Sequence, residues 1–169
     1  MRSFLPLYAS EQIRMSTLEV GILFSATSAA QLIAMMLFGW ISDRVGRKRM
    51  VVLGFGLSSM AFPFFFIAKS PYELMIVSLA VSVGLSASSL LFSLIPEVAP
   101  ERLYGTVVGL FGSFEDAGII LSPTIYGIIW SSYNPVSIFA AASLTSLLAA
   151  LLLLPIYQKQ ATSTLQRLE

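Results

Sequence analysis

Four long stretches of the chain contain no Asp, Glu, Lys or Arg: residues 20–42, 50–68, 74–96 and 117–158. A helix that crosses a bilayer needs about 20 mostly apolar residues, so each of the first three is long enough for one crossing. The last is too long for a single one. Ser131, Ser132, Tyr133, Asn134 and Pro135 form a turn-favouring cluster near its middle and divide it. Its first half reaches back to Tyr104, because Glu115 and Asp116 have apolar residues on both sides. The pattern predicts five spans, at about 18–41, 50–68, 73–95, 104–130 and 136–157, in one all-α membrane domain covering 1–169.

The polar clusters between these spans are short: residues 43–49, 69–72 and 96–103. Consecutive spans joined this tightly are expected to lie side by side and antiparallel. Residues 1–12 include Phe4, Leu5, Pro6, Leu7 and Tyr8 but are too few to cross a bilayer. They read either as the outer end of a helix whose first part is absent or as a short interfacial segment.

Composition sharpens this picture. The 169 residues are 56% hydrophobic and 11% charged, with a mean hydropathy of +0.83. A soluble domain carries about 25% charged residues, so too few are present to clothe a water-facing surface, and the lipid bilayer is the expected partner. Ten Lys and Arg against nine Asp and Glu leave a net charge of +1, which argues against a nucleic-acid partner and against an acidic tail. There is no Cys and no His. That removes disulfides, thiolate metal sites, cysteine nucleophiles and His-based acid–base catalysis. No catalytic residue, metal ligand or cofactor is expected.

Loop Lys and Arg set the orientation. Arg44, Arg47, Lys48, Arg49, Arg102, Lys159 and Arg167 fall on one side, and Arg2, Arg14 and Lys69 on the other. The excess places the 43–49 loop and the C-terminus in the cytoplasm and the N-terminus outside, in a multi-pass protein of the cell membrane. Tyr72, Trp130 and Tyr133 suit an outer aromatic belt and Trp40 an inner one. Phe62, Phe64, Phe65 and Phe66 are expected to face lipid or the interface.

Residues 39–48 read GWISDRVGRK, where the first span meets the cytoplasm. This resembles the signature loop G-x-L-a-D-R-x-G-R-K of the major facilitator superfamily. Gly39, Asp43, Arg44, Gly46, Arg47 and Lys48 match, and Ile41 stands for the Leu. The residue types suit the place. Gly46 can take a positive φ in a turn this tight, and Gly39 would allow close helix approach. Asp43 can lie near the positive end of a neighbouring helix or pair with an arginine. Arg44 and Arg47 can reach a carboxylate, and Glu97 and Glu101 on the same side are the expected partners. Such pairs would form when the cytoplasmic side closes and break when it opens. The resemblance implies that the loop governs conformational switching; a basic loop that merely sets topology is the plainer alternative.

Full members of that family have twelve spans in two six-helix halves. Five spans and a stub correspond to one half lacking most of its first helix. Residues 109–127 read GLFGSFEDAGIILSPTIYG. Asp116, Gly118, Pro123 and Gly127 resemble the helix-eleven pattern, with Ser122 in place of the usual Gly. The same residues, with Gly109, fit the helix-five antiporter motif less well, departing at Ser122 and Tyr126. The resemblance therefore points to the C-terminal half, helices eight to twelve with the end of helix seven. The missing N-terminal half is then an implied partner.

Glu115 and Asp116 are the strongest anomaly, lying roughly 16–18 Å along the fourth span from its start at Tyr104. A carboxylate at such depth is costly unless paired, hydrated or protonated. Both are candidates for carrying a proton or a cation. Gln31 is a candidate for contact with solute, since a buried amide needs a partner; Ser25, Ser28 and Met35 recur with it at helical spacing. Gly109, Gly118, Ser122, Pro123 and Gly127 read as packing and hinge residues. Ser82, Ser86, Ser89 and Ser93 with Gly84 suggest a tightly packed small-residue helix. The expected function is secondary active transport of a small organic solute, symport or antiport, coupled to protons or another ion, by alternating access. The alternative is a truncated, non-transporting membrane protein that acts as an assembly partner or is a remnant of a disrupted gene.

Overall fold

In a computed structural model, residues 4–134 and 136–165 are described, with the side chains of 97–98 and 154–165 outside the description. The helices in chain order are α1 (Leu5–Glu11), α2 (Thr17–Val45), α3 (Arg47–Ala61), α4 (Pro71–Ser86), α5 (Leu90–Val98), α6 (Tyr104–Ser132) and α7 (Ser137–Leu165). A 3-10 turn, Phe62–Phe66, prolongs α3; another, Ala87–Ser89, joins α4 to α5; a third, Glu101–Leu103, leads into α6. The chain is an all-α membrane helix bundle. Three segments, Thr17–Val45, Arg47–Phe66 and Pro71–Pro96, are long and apolar enough to cross a membrane, and the shorter Ser137–Leu153 is apolar as well.

Two helix starts are set by the same device. Ser16 accepts from the Glu19 N–H at 3.3 Å while the Ser16 N–H donates to Glu19 Oε2 at 2.7 Å. Ser70 and Glu73 repeat this reciprocal pair at the start of α4. Each capping box satisfies backbone donors that would otherwise face lipid or the interface unpaired. The S-x-x-E spacing is plain in the sequence and would have located both starts.

The centre of the bundle is α3, which packs against α4 on one side and α7 on the other, while α2 packs against α4. Consecutive helices are neighbours at α2–α3 and α3–α4, but α6 and α7 touch only slightly. Connectivity holds helix ends together; what presses helices along their length in lipid is the fit of small and polar residues. The α3–α4 contact has that character. A Cβ on Gly84 would fall 2.7 Å from Ser58 N and 2.8 Å from Gly54 O. The α3–α7 contact is stitched by hydroxyls: Ser59 Oγ donates to Ser143 O at 3.1 Å and Ser143 Oγ to Ser59 O at 2.8 Å.

At the far end of α3 the expected lipid-facing phenylalanines divide. Phe62 and Phe65 are buried, and Phe64 and Phe66 are exposed. Pro63 lies in the first turn of a 3-10 segment, where three residues make a turn, so positions 62 and 65 share one face. Phe65 stacks on Phe139 of α7 at 4.0 Å, and Tyr8 of α1 meets Phe139 edge-on at 4.9 Å. Tyr8 and Ala9 are buried, so the N-terminal stretch is a helix docked into this core. Its exit is closed by Arg14, at φ 58°, and by a Met15 N–H to Ala9 O bond of 3.0 Å.

By contrast α6 has no buried residue. It is held by Phe111 against Phe92 of α5, at 4.9 Å, and by Tyr126 and Trp130 against Phe4, at 6.2 and 6.0 Å.

Candidate functional site

The 43–49 stretch is not a loop. Helix α2 continues through Val45, a single residue breaks the path, and α3 starts at Arg47. That residue is Gly46, at φ 101° and ψ 131°, a conformation a side chain rarely adopts. Nothing lies within 4 Å of a Cβ placed there, so the requirement is one of backbone angle and not of space. Gly46→Ala is expected to cost about 1–3 kcal/mol through that angle. It should lower the midpoint of thermal unfolding in detergent by several degrees. Gly39→Ala should not, since Gly39 is helical and also open within 4 Å. Within the chain, close helix approach is made by Gly54 and Gly84, not by Gly39.

Around the turn, Arg47 of α3 lies 3.7 Å from Asp43 of α2 across the Gly46 break, and its Nη1 donates to Ser93 O on α5 at 2.9 Å. One guanidinium therefore ties the α2–α3 turn to α5. Arg44 is placed over the Trp40 ring, 4.3 Å from its centroid. Lys48 is half-buried and has a further partner. Glu101 is exposed and forms no ion pair among the described residues, and the side chain of Glu97 lies outside the description. Arg47 and Arg49 each have a further interaction as well. The bond from Arg47 to the Ser93 carbonyl is one that no residue pattern would reveal.

A second feature lies inside the bundle. Between α2 and α4, under Leu5 of α1, is a cavity of about 170 Å³. Its polar wall is Thr27, Ser28, Gln31, Ser78 and Ser82; Phe24, Phe65, Val81 and Leu85 form the rest. None of these side chains is charged. Gln31 is half-buried and has a partner of its own. Thr27 donates to the carbonyls of Leu23 and Phe24, at 2.9 and 3.1 Å. Ser78 is 2% exposed, and its Oγ has no hydrogen-bond partner. Elsewhere on the helices Ser42, Ser58, Ser86, Ser89 and Ser93 bond back to a carbonyl three or four residues earlier. Ser25 and Met35, of the same helical series as Gln31, are exposed and outside the cavity. Ser78 was not singled out from the sequence, where nothing distinguishes it from its neighbours.

Glu115 and Asp116 sit on α6, exposed, and do not line this cavity. Neither has a hydrogen bond or an ion pair among the described residues. Gly109 and Gly118 are likewise open within 4 Å, and Gly127 faces only the Phe4 ring, at 3.9 Å. Pro123 lies within an unbroken α6, and Ser122 donates back to Ile119 O at 3.3 Å.

Residues 1–167 match the family profile described as Major Facilitator Superfamily. Over 121 residues the chain is 31% identical to the inner membrane metabolite transport protein YgcS of Escherichia coli (strain K12), covering 69% of this chain and 27% of that protein. It is 28% identical over 162 residues to the uncharacterized MFS-type transporter YhjO of Bacillus subtilis (strain 168), covering 92% and 39%. It is 24% identical over 170 aligned residues to the quinolone resistance protein NorA of Staphylococcus aureus, covering 98% and 43%. The chain spans less than half the length of these relatives. With the profile covering nearly all of it and the GWISDRVGRK turn in place between two helices, the chain belongs to the major facilitator superfamily.

Proposed function

We propose that the chain is the C-terminal half of a secondary active transporter that moves a small organic solute by alternating access, coupled to protons. The observation that carries this reading is the motif turn. Arg47 pairs with Asp43 across the turn and bonds to the Ser93 carbonyl of α5, so the turn and α5 move together or part together. A contact that can be made or broken suits a cytoplasmic side with two discrete arrangements, which alternating access requires. The basic residues around it support a cytoplasmic position for that side.

In this reading Glu115 and Asp116 take up and release the proton, and the unpartnered faces of α6 are covered in the assembled transporter. The isolated chain does not transport, because the solute path runs between two halves. The alternative, a non-transporting assembly partner, is favoured by the same bare α6, which a partner helix could cover without any transport.

The two readings separate in proteoliposomes. Uptake and efflux of labelled sugars, amino acids and aromatic solutes are measured under an imposed pH gradient, with the chain alone and with its in-frame N-terminal half. Solute movement that needs both halves and collapses with a protonophore is the expected result. Movement by the chain alone, or none with both halves, overturns the reading.

A further inference from the structure

The α2–α4 cavity has a chemical character that the motif turn and the α6 carboxylates do not share. About 170 Å³ is close to the volume that accepts a single six-membered ring. Phe24 and Phe65 line its apolar side, and Gln31, Ser28 and Ser82 line it on the polar side. Ser78 lines it as well, buried, with no hydrogen bond made by its Oγ. Burying a hydroxyl unpaired is costly in any protein, and more so in a bundle wrapped by lipid, where water is not at hand to repair it. A hydroxyl kept in that state at the wall of a cavity is explained if something else completes its bond. No Asp, Glu, Lys or Arg lines the space. A charged group entering it would lose its hydration without gaining a counter-charge.

We propose that this cavity binds the uncharged, hydrogen-bonding end of a small amphiphilic solute, with Ser78 as its buried polar contact and Phe24 and Phe65 against its apolar body. Calling that solute the transported substrate rests on the transporter reading; the binding itself does not. The proton-carrying carboxylates and the solute contacts are then on different helices, α6 for the first and α2 and α4 for the second.

The chain has no native cysteine, so a single introduced thiol reports on one position. Ser28→Cys lies on the cavity wall, and Ser25→Cys, on the same helix, is a control outside the cavity; both positions are exposed. Alkylation by N-ethylmaleimide is followed in the membrane-embedded protein with benzyl alcohol, toluene or benzylammonium added. Benzyl alcohol is expected to protect position 28 and not position 25, and benzylammonium to protect neither. Adding Ser78→Ala should raise the half-protecting concentration of benzyl alcohol about fivefold, the effect of one neutral hydrogen bond, and leave that of toluene unchanged.

This variant removes an unpaired oxygen and should unfold no earlier than the parent. Ser82→Ala, at the cavity edge, is a second variant expected to weaken benzyl alcohol alone. Four results overturn the proposal: equal protection at both thiols, protection by benzylammonium as good as by benzyl alcohol, the same shift for both neutral probes, or a thiol at position 28 that does not react. A site closed to a small maleimide is closed to a solute. Failed protection with intact solute transport sinks this inference alone. Intact protection without transport sinks the transporter reading alone.

Discussion

Gly84→Leu is expected to separate α4 from α3 and to lower the unfolding midpoint in detergent by about 10 °C or more, from a loss of at least 3–4 kcal/mol. The size of the effect follows from what the new side chain would meet. Two of the three nearest atoms are backbone, Ser58 N at 2.7 Å and Gly54 O at 2.8 Å from the first added carbon, and backbone within a helix cannot step aside. The helices would have to part, exposing Ser58 and Ala87, both now buried. Gly54→Leu should behave alike, because its Cβ would collide with Ala87 Cβ and lie 2.7 Å from Gly84 O. Gly56→Ala is the control. It lies on the same helix, has nothing within 4 Å, and should be neutral or slightly stabilising. Thermal unfolding of the three variants beside the parent decides the matter. A Gly84→Leu protein that melts with the parent would show that α3 and α4 do not pack through this glycine pair.

The second large effect concerns coupling. In the assembled transporter, replacing both Glu115→Gln and Asp116→Asn is expected to lower proton-driven solute movement about tenfold or more, the loss that 1.4 kcal/mol of transition-state stabilisation represents. The replacements keep size and polarity and remove only the ability to ionise. The two side chains are adjacent on α6 and point about 100° apart, so one neighbouring surface can engage only one of them. One single variant should therefore carry most of the double variant's loss, and the other should be close to the parent. Both groups are exposed and without an ion pair among the described residues, so neither change should disturb folding. Undiminished proton-driven movement in the double variant would remove both carboxylates from the coupling mechanism.

The sequence and the structure agree most closely where the signal is local. The glycine at position 46 marks a change of direction because no other residue takes φ 101° so readily, and the helices on either side of it follow from apolar runs long enough to cross a bilayer. The S-x-x-E starts at Ser16 and Ser70 are equally local and could have been read directly. Expectations failed where they depended on which way a helix faces. Phe62 and Phe65 are core residues and not lipid-facing ones, because a 3-10 segment changes the angular step just there.

Membrane class, helical architecture, the turn at Gly46 and family membership were written in the sequence alone. They rest on hydropathy, on backbone conformation at single residues and on a contiguous motif, none of which needs a partner helix. Tertiary structure alone decided that Ser78 is the serine left unpaired at a cavity while Ser86, Ser89 and Ser93 bond back to their own helix. It alone brought Arg47 to the Ser93 carbonyl, and it alone left α6 without a buried residue. The physical reason is the solvent. In water an apolar stripe tells a helix which face to bury, but in lipid the outward face is apolar too. The inward face of each helix is then chosen by steric fit between glycines and by the pairing of a few hydroxyls, and that choice exists only once the helices have met.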